Sequence, residues 1–208
     1  MPPLTIVFDF GGVLIDWDPC YLYCSFFGGD RRAAESFLAE IDFNKWNRDL
    51  DLGRPFAEVI AEVSRRFPAY RALIQAYSDR YEETLAGPIQ PSVDILRALR
   101  DAGHPLYGLT NWPMEKFIPV RRKYSFFNWF EDIVVSGEVN LAKPDPRIFV
   151  VLLERIGRPP GECLFVDDSF ANITSARDLG FQTIHFESAG QLEAELRGRG
   201  LLMERPRS

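Results

Sequence analysis

The chain has 208 residues, 46% of them hydrophobic and 26% charged, the proportions of a globular protein rather than a disordered or membrane-embedded one. Its net charge of -6 and pI near 5.1 leave no basic footprint for nucleic acid as the main partner. No run reaches the roughly 18 apolar residues that span a bilayer, and Asp9 interrupts the first apolar run, so neither a signal peptide nor a membrane association is expected. Three cysteines without repeated pair spacing fit a reducing cytoplasm. Cys20 and Cys24 share an i,i+4 spacing, but His104 and His185 lie far from them in sequence, which argues against zinc and for buried thiols.

Thr5-Ile6-Val7-Phe8 is a short, continuous β-branched and aromatic run that reads as a fully buried strand. Asp9 stands at its carboxyl end, where open α/β sheets place their ligands. Gly11 and Gly12 follow and can bring backbone N–H groups close to an anion. Residues 15–19 (Ile-Asp-Trp-Asp-Pro) read as a turn-prone exit from the sheet. From about residue 19 to 87 the pattern is helical, with no convincing strand. Ala33, Ala34, Phe37, Leu38 and Ile41 outline one helix; Phe56, Val59, Ile60, Val63 and Phe67, opening on Pro55, outline a second; Leu73, Tyr77, Tyr81 and Leu85 outline a third. The rhythm changes at Gly87-Pro88. A helix opening on Pro91 and closing at Gly103 leads to a strand over 105–109, which ends on Thr110-Asn111. A strand over 133–135 ends on Ser136-Gly137, and Asp145 caps a helix that begins with Pro146 and stops at Gly157. Strands over 163–166 and 183–186 flank a helix over 172–179, and the polar tail after Leu202 is expected to fray.

Strands alternating with helices specify right-handed βαβ units. The expected fold is α/β: a three-layer, Rossmann-like parallel sheet formed by residues 1–17 and 88–208, with an α-helical cap, residues 18–87, inserted after the first strand. The cleft between cap and strand ends is the expected ligand site. Gly87-Pro88 and the 16–19 turn are the expected hinges.

In such a sheet the polar strand ends converge on one crevice, bringing together Asp9, Thr110-Asn111 and Asp167-Asp168, with Lys143 just before the helix that leads into the Asp167 strand. Carboxylates from separate strands suit Mg²⁺, a hard cation that takes one or two carboxylates plus phosphate oxygens. A carboxylate can also attack phosphorus to give an aspartyl-phosphate. A lysine and the donors of Thr110 and Asn111 suit the equatorial oxygens of a transferring phosphoryl group. Each residue also has a plainer reading: Asp168 as a helix N-cap, Lys143 as a surface lysine, Thr110-Asn111 as a turn.

Four segments in order, Asp9-Phe10-Gly11-Gly12-Val13, Leu109-Thr110-Asn111, Lys143-Pro144 and Val166-Asp167-Asp168, resemble the motifs of the haloacid dehalogenase superfamily. The resemblance runs from the first strand to the last helix, and the insertion is similar to the helical cap of the branch that carries its cap there. It implies a Mg²⁺-dependent phosphohydrolase acting on a small phosphorylated metabolite, as a monomer or homodimer. Asp9 would be nucleophile and metal ligand. The Gly11 carbonyl, Asp167 and Asp168 would bind or position the metal. Thr110 and Asn111 would hold the transferring group, and Lys143 both that group and Asp9. Gly12 and Trp112 are further substrate-binding candidates, as are Trp17, Trp46, Arg48 and Arg54, with core packing the alternative for the tryptophans.

The pattern departs from the family at Gly11, where its phosphatases usually carry an aspartate as general acid/base. Losing such a group costs on the order of 10²–10⁴ in rate for a poor leaving group. Three readings follow: a phosphatase with an activated leaving group or another proton source, a metal-independent 2-haloacid dehalogenase, or a non-catalytic binding protein with a vestigial site. Sugar 1-phosphates fit the first, and a glucose-1-phosphate phosphatase branch of the family is similar in having Gly here. The adjacent Asp167-Asp168 pair weighs against the second, because carboxylates crowded near Asp9 repel unless a cation sits among them. Asp16 and Asp18 are the alternative proton sources, with turn and capping roles as their plainer use.

Overall fold

Every residue of Thr5–Phe8 is buried, as a strand covered on both faces requires. In the computed structural model, which describes residues 3–202, this run is β1. There follow β2 (Ile15–Trp17), α1 (Pro19–Tyr23), α2 (Arg31–Glu40), α3 (Phe43–Asp51), α4 (Phe56–Arg66), α5 (Arg71–Asp79) and β3 (Leu85–Pro88). The chain then alternates through α6 (Gln90–Asp101), β4 (Leu106–Thr110), α7 (Met114–Lys123), β5 (Asp132–Val135), α8 (Ser136–Val139), α9 (Pro146–Ile156), β6 (Cys163–Asp167), α10 (Phe170–Asp178), β7 (Gln182–His185) and α11 (Ala189–Gly198). The tail expected to fray after Leu202 lies outside the described residues.

Five strands form one parallel sheet in the order β5-β4-β1-β6-β7, with Val7 of β1 level with Tyr107 on one side and Phe165 on the other. Side chains alternate across β1 and so feed two cores. Ile6 and Phe8 join Leu96 and Leu99 of α6 and Leu192 and Leu196 of α11. Val7 joins Ile148, Phe149 and Leu152 of α9 and Ile173 of α10. The three-layer α/β architecture follows from that alternation. β1 is central, so Asp9 emerges in the middle of the carboxyl edge, between the ends of β4 and β6.

Two features differ from the sequence reading. Ile15–Trp17 is a strand rather than a turn, and it pairs antiparallel with Leu85–Pro88, Asp16 opposite Gly87. The segments leaving and re-entering the sheet therefore zip together, which short apolar stretches hide when read singly. The i+4 stripe from Leu73 to Leu85 is not one helix: α5 ends at Asp79, Tyr81 lies in a 3₁₀ turn and Leu85 in the ribbon. The helices between the ribbon strands lean on α7 and α8: Glu115 Oε1 accepts the Phe56 N–H at 3.3 Å and Lys116 Nζ donates to the Ser78 carbonyl at 2.7 Å. No helix among the described residues is long and apolar enough to cross a membrane.

Candidate active site

At the carboxyl edge of the sheet a cavity of about 360 Å³ is lined by Asp9, Gly11, Gly12, Asn111, Trp112, Lys143, Asp168 and Asn172 from the sheet side, and by Trp17, Asn47, Asp51 and Tyr81 from the opposite wall. That volume suits a small metabolite.

Lys143 is the centre of the polar cluster. Its side chain is 1% exposed, and its Nζ lies 2.8 Å from Asp9 Oδ1 and 2.6 Å from Asp167 Oδ2, while donating to the Leu109 carbonyl at 2.9 Å. A surface lysine it is not. Burial opposes its charge, but Asp167 and Asp9 outweigh that and hold its pKa above the usual lysine value. Burial likewise pushes the Asp9 carboxyl up; Lys143 opposes the rise, and Asp167 and Asp168 add to it. Asp9 Oδ1 also accepts the Phe10 N–H at 2.7 Å, which fixes the carboxylate's orientation at the strand end.

The two adjacent aspartates differ in role. Asp167 is fully buried, and its oxygens accept from Lys143 Nζ, the Ser169 N–H at 2.8 Å and Asn172 Nδ2 at 3.0 and 3.1 Å. Asp168 is open to the cavity, and burial of its carboxyl together with Asp167 raises its pKa. The N-cap of α10 is Ser169 rather than Asp168. Carboxylate oxygens of Asp9, Asp167 and Asp168 all lie within 4.8 Å of one another. Gly12, at φ +72°, is needed beside them, since a Cβ there would collide with the Asp168 carboxylate. A hard divalent cation fits this donor set.

Asn111 uses its amide on the backbone of Lys143, with Oδ1 accepting its N–H at 2.8 Å and Nδ2 donating to its carbonyl at 3.0 Å. Its side chain thus locks the lysine segment to the end of β4. Thr110 is 1% exposed and closes β4 behind the cavity lining. Trp112 lines the cavity, as does Trp17. Trp46 instead packs in the core against Phe43 and Tyr77, and Arg54 is paired with Asp49 and Glu62. Asp18 caps α1 and pairs with Arg31 at 2.8 Å, and Asp16 accepts from the Tyr21 hydroxyl at 3.0 Å; neither lines the cavity.

Sequence reasoning passed over Asn47, Asp51, Tyr81 and Asn172. For two of them a signal was present. In α3 the buried residues Phe43, Trp46 and Leu50 recur at i, i+3 and i+7, and Asn47 and Asp51 sit at i+4 and i+8, where the apolar stripe would continue. Polar residues on the inward face of a helix mark a site or a buried network.

The sequence profile of haloacid dehalogenase-like hydrolases matches residues 4–180. The chain is 28% identical over 184 residues to an N-acetylmuramic acid 6-phosphate phosphatase of Pseudomonas aeruginosa, covering 86% of this chain and 79% of that one. Its fold is similar to that of a haloacid dehalogenase family enzyme of Bacteroides thetaiotaomicron in complex with magnesium and inorganic phosphate, at 26% identity, 90% and 96% coverage and a TM-score of 0.67. It is also similar to a dehalogenase at 19% identity, 94% and 97% coverage and a TM-score of 0.69, a likeness of fold alone.

Proposed function

This chain belongs to the haloacid dehalogenase-like hydrolases, and we propose that within them it is a Mg²⁺-dependent phosphohydrolase of small phosphorylated metabolites, sugar phosphates foremost. One observation carries the reading: three carboxylates within 4.8 Å of one another, with the buried Lys143 ion-paired to two of them. A metal-independent dehalogenase has no use for the open carboxylate of Asp168, and a vestigial binder has no reason to keep a lysine buried among carboxylates. The phosphatase activity of the Pseudomonas relative and the magnesium and phosphate bound by the Bacteroides enzyme support the same reading.

When held by Asp9, Asp168 and the Gly11 carbonyl, Mg²⁺ supplies charge neutralisation to the phosphoryl oxygens. The chain's own groups do the rest. The Asp9 carboxylate attacks phosphorus, the bond from phosphorus to the leaving alcohol breaks, and water then attacks the aspartyl-phosphate to release inorganic phosphate and restore the carboxylate. Lys143, held by Asp167 and the Leu109 carbonyl, orients Asp9 and offsets charge on the transferring group. Asp167 positions Lys143, Ser169 and Asn172 rather than facing the substrate. The Gly12 backbone and Trp112 bound the substrate, and Thr110 supports the end of β4. Free Cys20, Cys24 and Cys163 are consistent with a cytoplasmic setting.

The test is hydrolysis of p-nitrophenyl phosphate, whose leaving group needs little help from an acid. Turnover is expected with Mg²⁺, lost with EDTA and lost in Asp9→Asn. Turnover that survives Asp9→Asn would remove the aspartyl-phosphate route, and chloride release from a 2-haloacid in EDTA would replace the phosphatase reading.

A further inference from the structure

The phosphohydrolase reading leaves one proton unassigned. When the bond from phosphorus to the leaving oxygen breaks, an alkoxide needs a proton, and Gly11 cannot give one. The lining of the cavity narrows the source. Its carboxylates, among the described residues, are Asp9, Asp51 and Asp168. Asp9 is the attacking group and Asp168 belongs to the carboxylate cluster that would hold the cation. Lys143 is committed to its two carboxylates, and burial pushes the Tyr81 phenol far above the range of a useful acid at neutral pH. Asp51 alone has no other task.

We propose that Asp51, at the C-terminal end of α3 on the wall facing Asp9, is the general acid that protonates the leaving oxygen, replacing the acid absent at position 11. The backbone is held for this. The Ser136 hydroxyl donates to the Asp51 carbonyl at 2.5 Å and accepts the Trp112 N–H at 2.9 Å, so one side chain at the end of β5 joins α3 to the residue after the β4 motif. Asn47 Nδ2 reaches Asp51 Oδ2 at 3.4 Å, and Asn47 Oδ1 accepts from the Tyr77 hydroxyl at 2.7 Å. Burial pushes the Asp51 carboxyl up to about 7, against the pull of Arg48 and Lys143, so a large share is protonated at neutral pH. Tyr77 and Tyr81, the other titratable groups beside it, stay neutral there.

The same wall says what leaves. Trp17, Trp112 and Tyr81 present aromatic surface, the indole N–H of Trp112 lying beside the Tyr81 hydroxyl and that of Trp17 beside the Tyr77 hydroxyl. Aromatic faces with Asn47 and Asp51 among them fit a hydroxyl-bearing alcohol, such as the sugar of a sugar phosphate, better than an apolar one.

The step balances without a co-reactant. The bond from Asp9 to phosphorus forms, the bond from phosphorus to the alcohol oxygen breaks, and the Asp51 proton passes to that oxygen, leaving Asp51 ionised to take a proton from the water of the second step.

The experiment compares kcat/KM, which reports the first transfer, for p-nitrophenyl phosphate and for an alkyl or sugar phosphate in wild type, Asp51→Asn and Asp51→Glu with Mg²⁺. For Asp51→Asn we expect the alkyl ester to lose on the order of 10²–10⁴, the aryl ester no more than about tenfold, and Asp51→Glu to recover part of the alkyl activity. Equal loss on both esters would overturn the acid role while leaving the phosphohydrolase reading standing. Wild type inactive on every ester would overturn both. Near-ultraviolet circular dichroism of Asp51→Asn confirms that the comparison is made between folded proteins.

Discussion

Gly11 and Asp51 exchange roles across the cavity. Gly11 is not at a positive φ, and a Cβ built there meets nothing within 4 Å. Position 11 therefore has room for a side chain and no backbone need for glycine, unlike Gly12, where the Asp168 carboxylate fills the space. An acid placed at 11 approaches the leaving oxygen from the segment that carries the nucleophile, just past β1. In an Asp51→Asn background, Gly11→Asp is expected to restore kcat/KM on an alkyl phosphate by about tenfold or more. Steady-state assays on the double variant measure this; no gain with a folded, aryl-active protein would show that the two positions do not address the same atom. Lys143 illustrates the opposite constraint. With its Nζ between Asp9 and Asp167, its charge offsets repulsion that burial would otherwise magnify.

At the level of elements, the site depends on how α3 is held against α8. Ser136, the first residue of α8, bonds both the Asp51 carbonyl and the Trp112 N–H. Two residues beyond Asp51, Gly53 sits at φ +89°, where a Cβ would meet Asn140 Oδ1 at 2.5 Å and the Gly137 carbonyl at 2.8 Å. Gly53→Ala combines a left-handed backbone with backbone overlap, an effect of about 1–2 kcal/mol from conformation alone. It is expected to raise KM for sugar phosphates and to lower Tm by several degrees, roughly 2–4 °C per kcal/mol in a chain of this size. A thermal melt beside the kinetics checks it; an unchanged KM would mean that α3 is positioned by its packed face alone. Little of this clamp was legible beforehand. Strand ends, caps such as Asp145 and the β1 motif were readable because local pattern and turn chemistry decide them. The ribbon of β2 and β3 was not, because its strands are 68 residues or more apart in the chain and each is only three or four residues long. Asp51 is legible only once α3 is delimited, because its place on the inward stripe of Phe43, Trp46 and Leu50 is what marks it, and residues 43–51 blend into a longer helical stretch in the sequence.

Across the whole molecule, the site is a concentration of negative charge that the fold holds out of water, and stability should record it. Burial pushes the Asp51 carboxyl from an ordinary 3.8 up to about 7, so the folded form binds that proton more tightly than the unfolded form. Its contribution is therefore most favourable below the ordinary carboxylate range and is lost as pH rises from about 4 through about 7. Asp9 and Asp168 are displaced in the same direction, so metal-free protein should weaken over that interval. Lys143, displaced upward, acts only at alkaline pH, its favourable contribution disappearing as pH rises through its own raised value. A divalent cation bound by Asp9 and Asp168 competes with protons for those oxygens, so its stabilisation should grow with pH. We expect saturating Mg²⁺ to raise Tm more at about pH 8 than at about pH 5.5, EDTA to reverse the gain, and Asp9→Asn to diminish it. Asp51→Asn should flatten part of the metal-free decline while keeping the response to Mg²⁺, because Asp51 stands apart from the three-carboxylate cluster. Calorimetric melts across that pH range test the argument. A Mg²⁺ response independent of pH would place the cation away from these carboxylates, and one abolished by Asp51→Asn would make Asp51 a metal ligand rather than an acid.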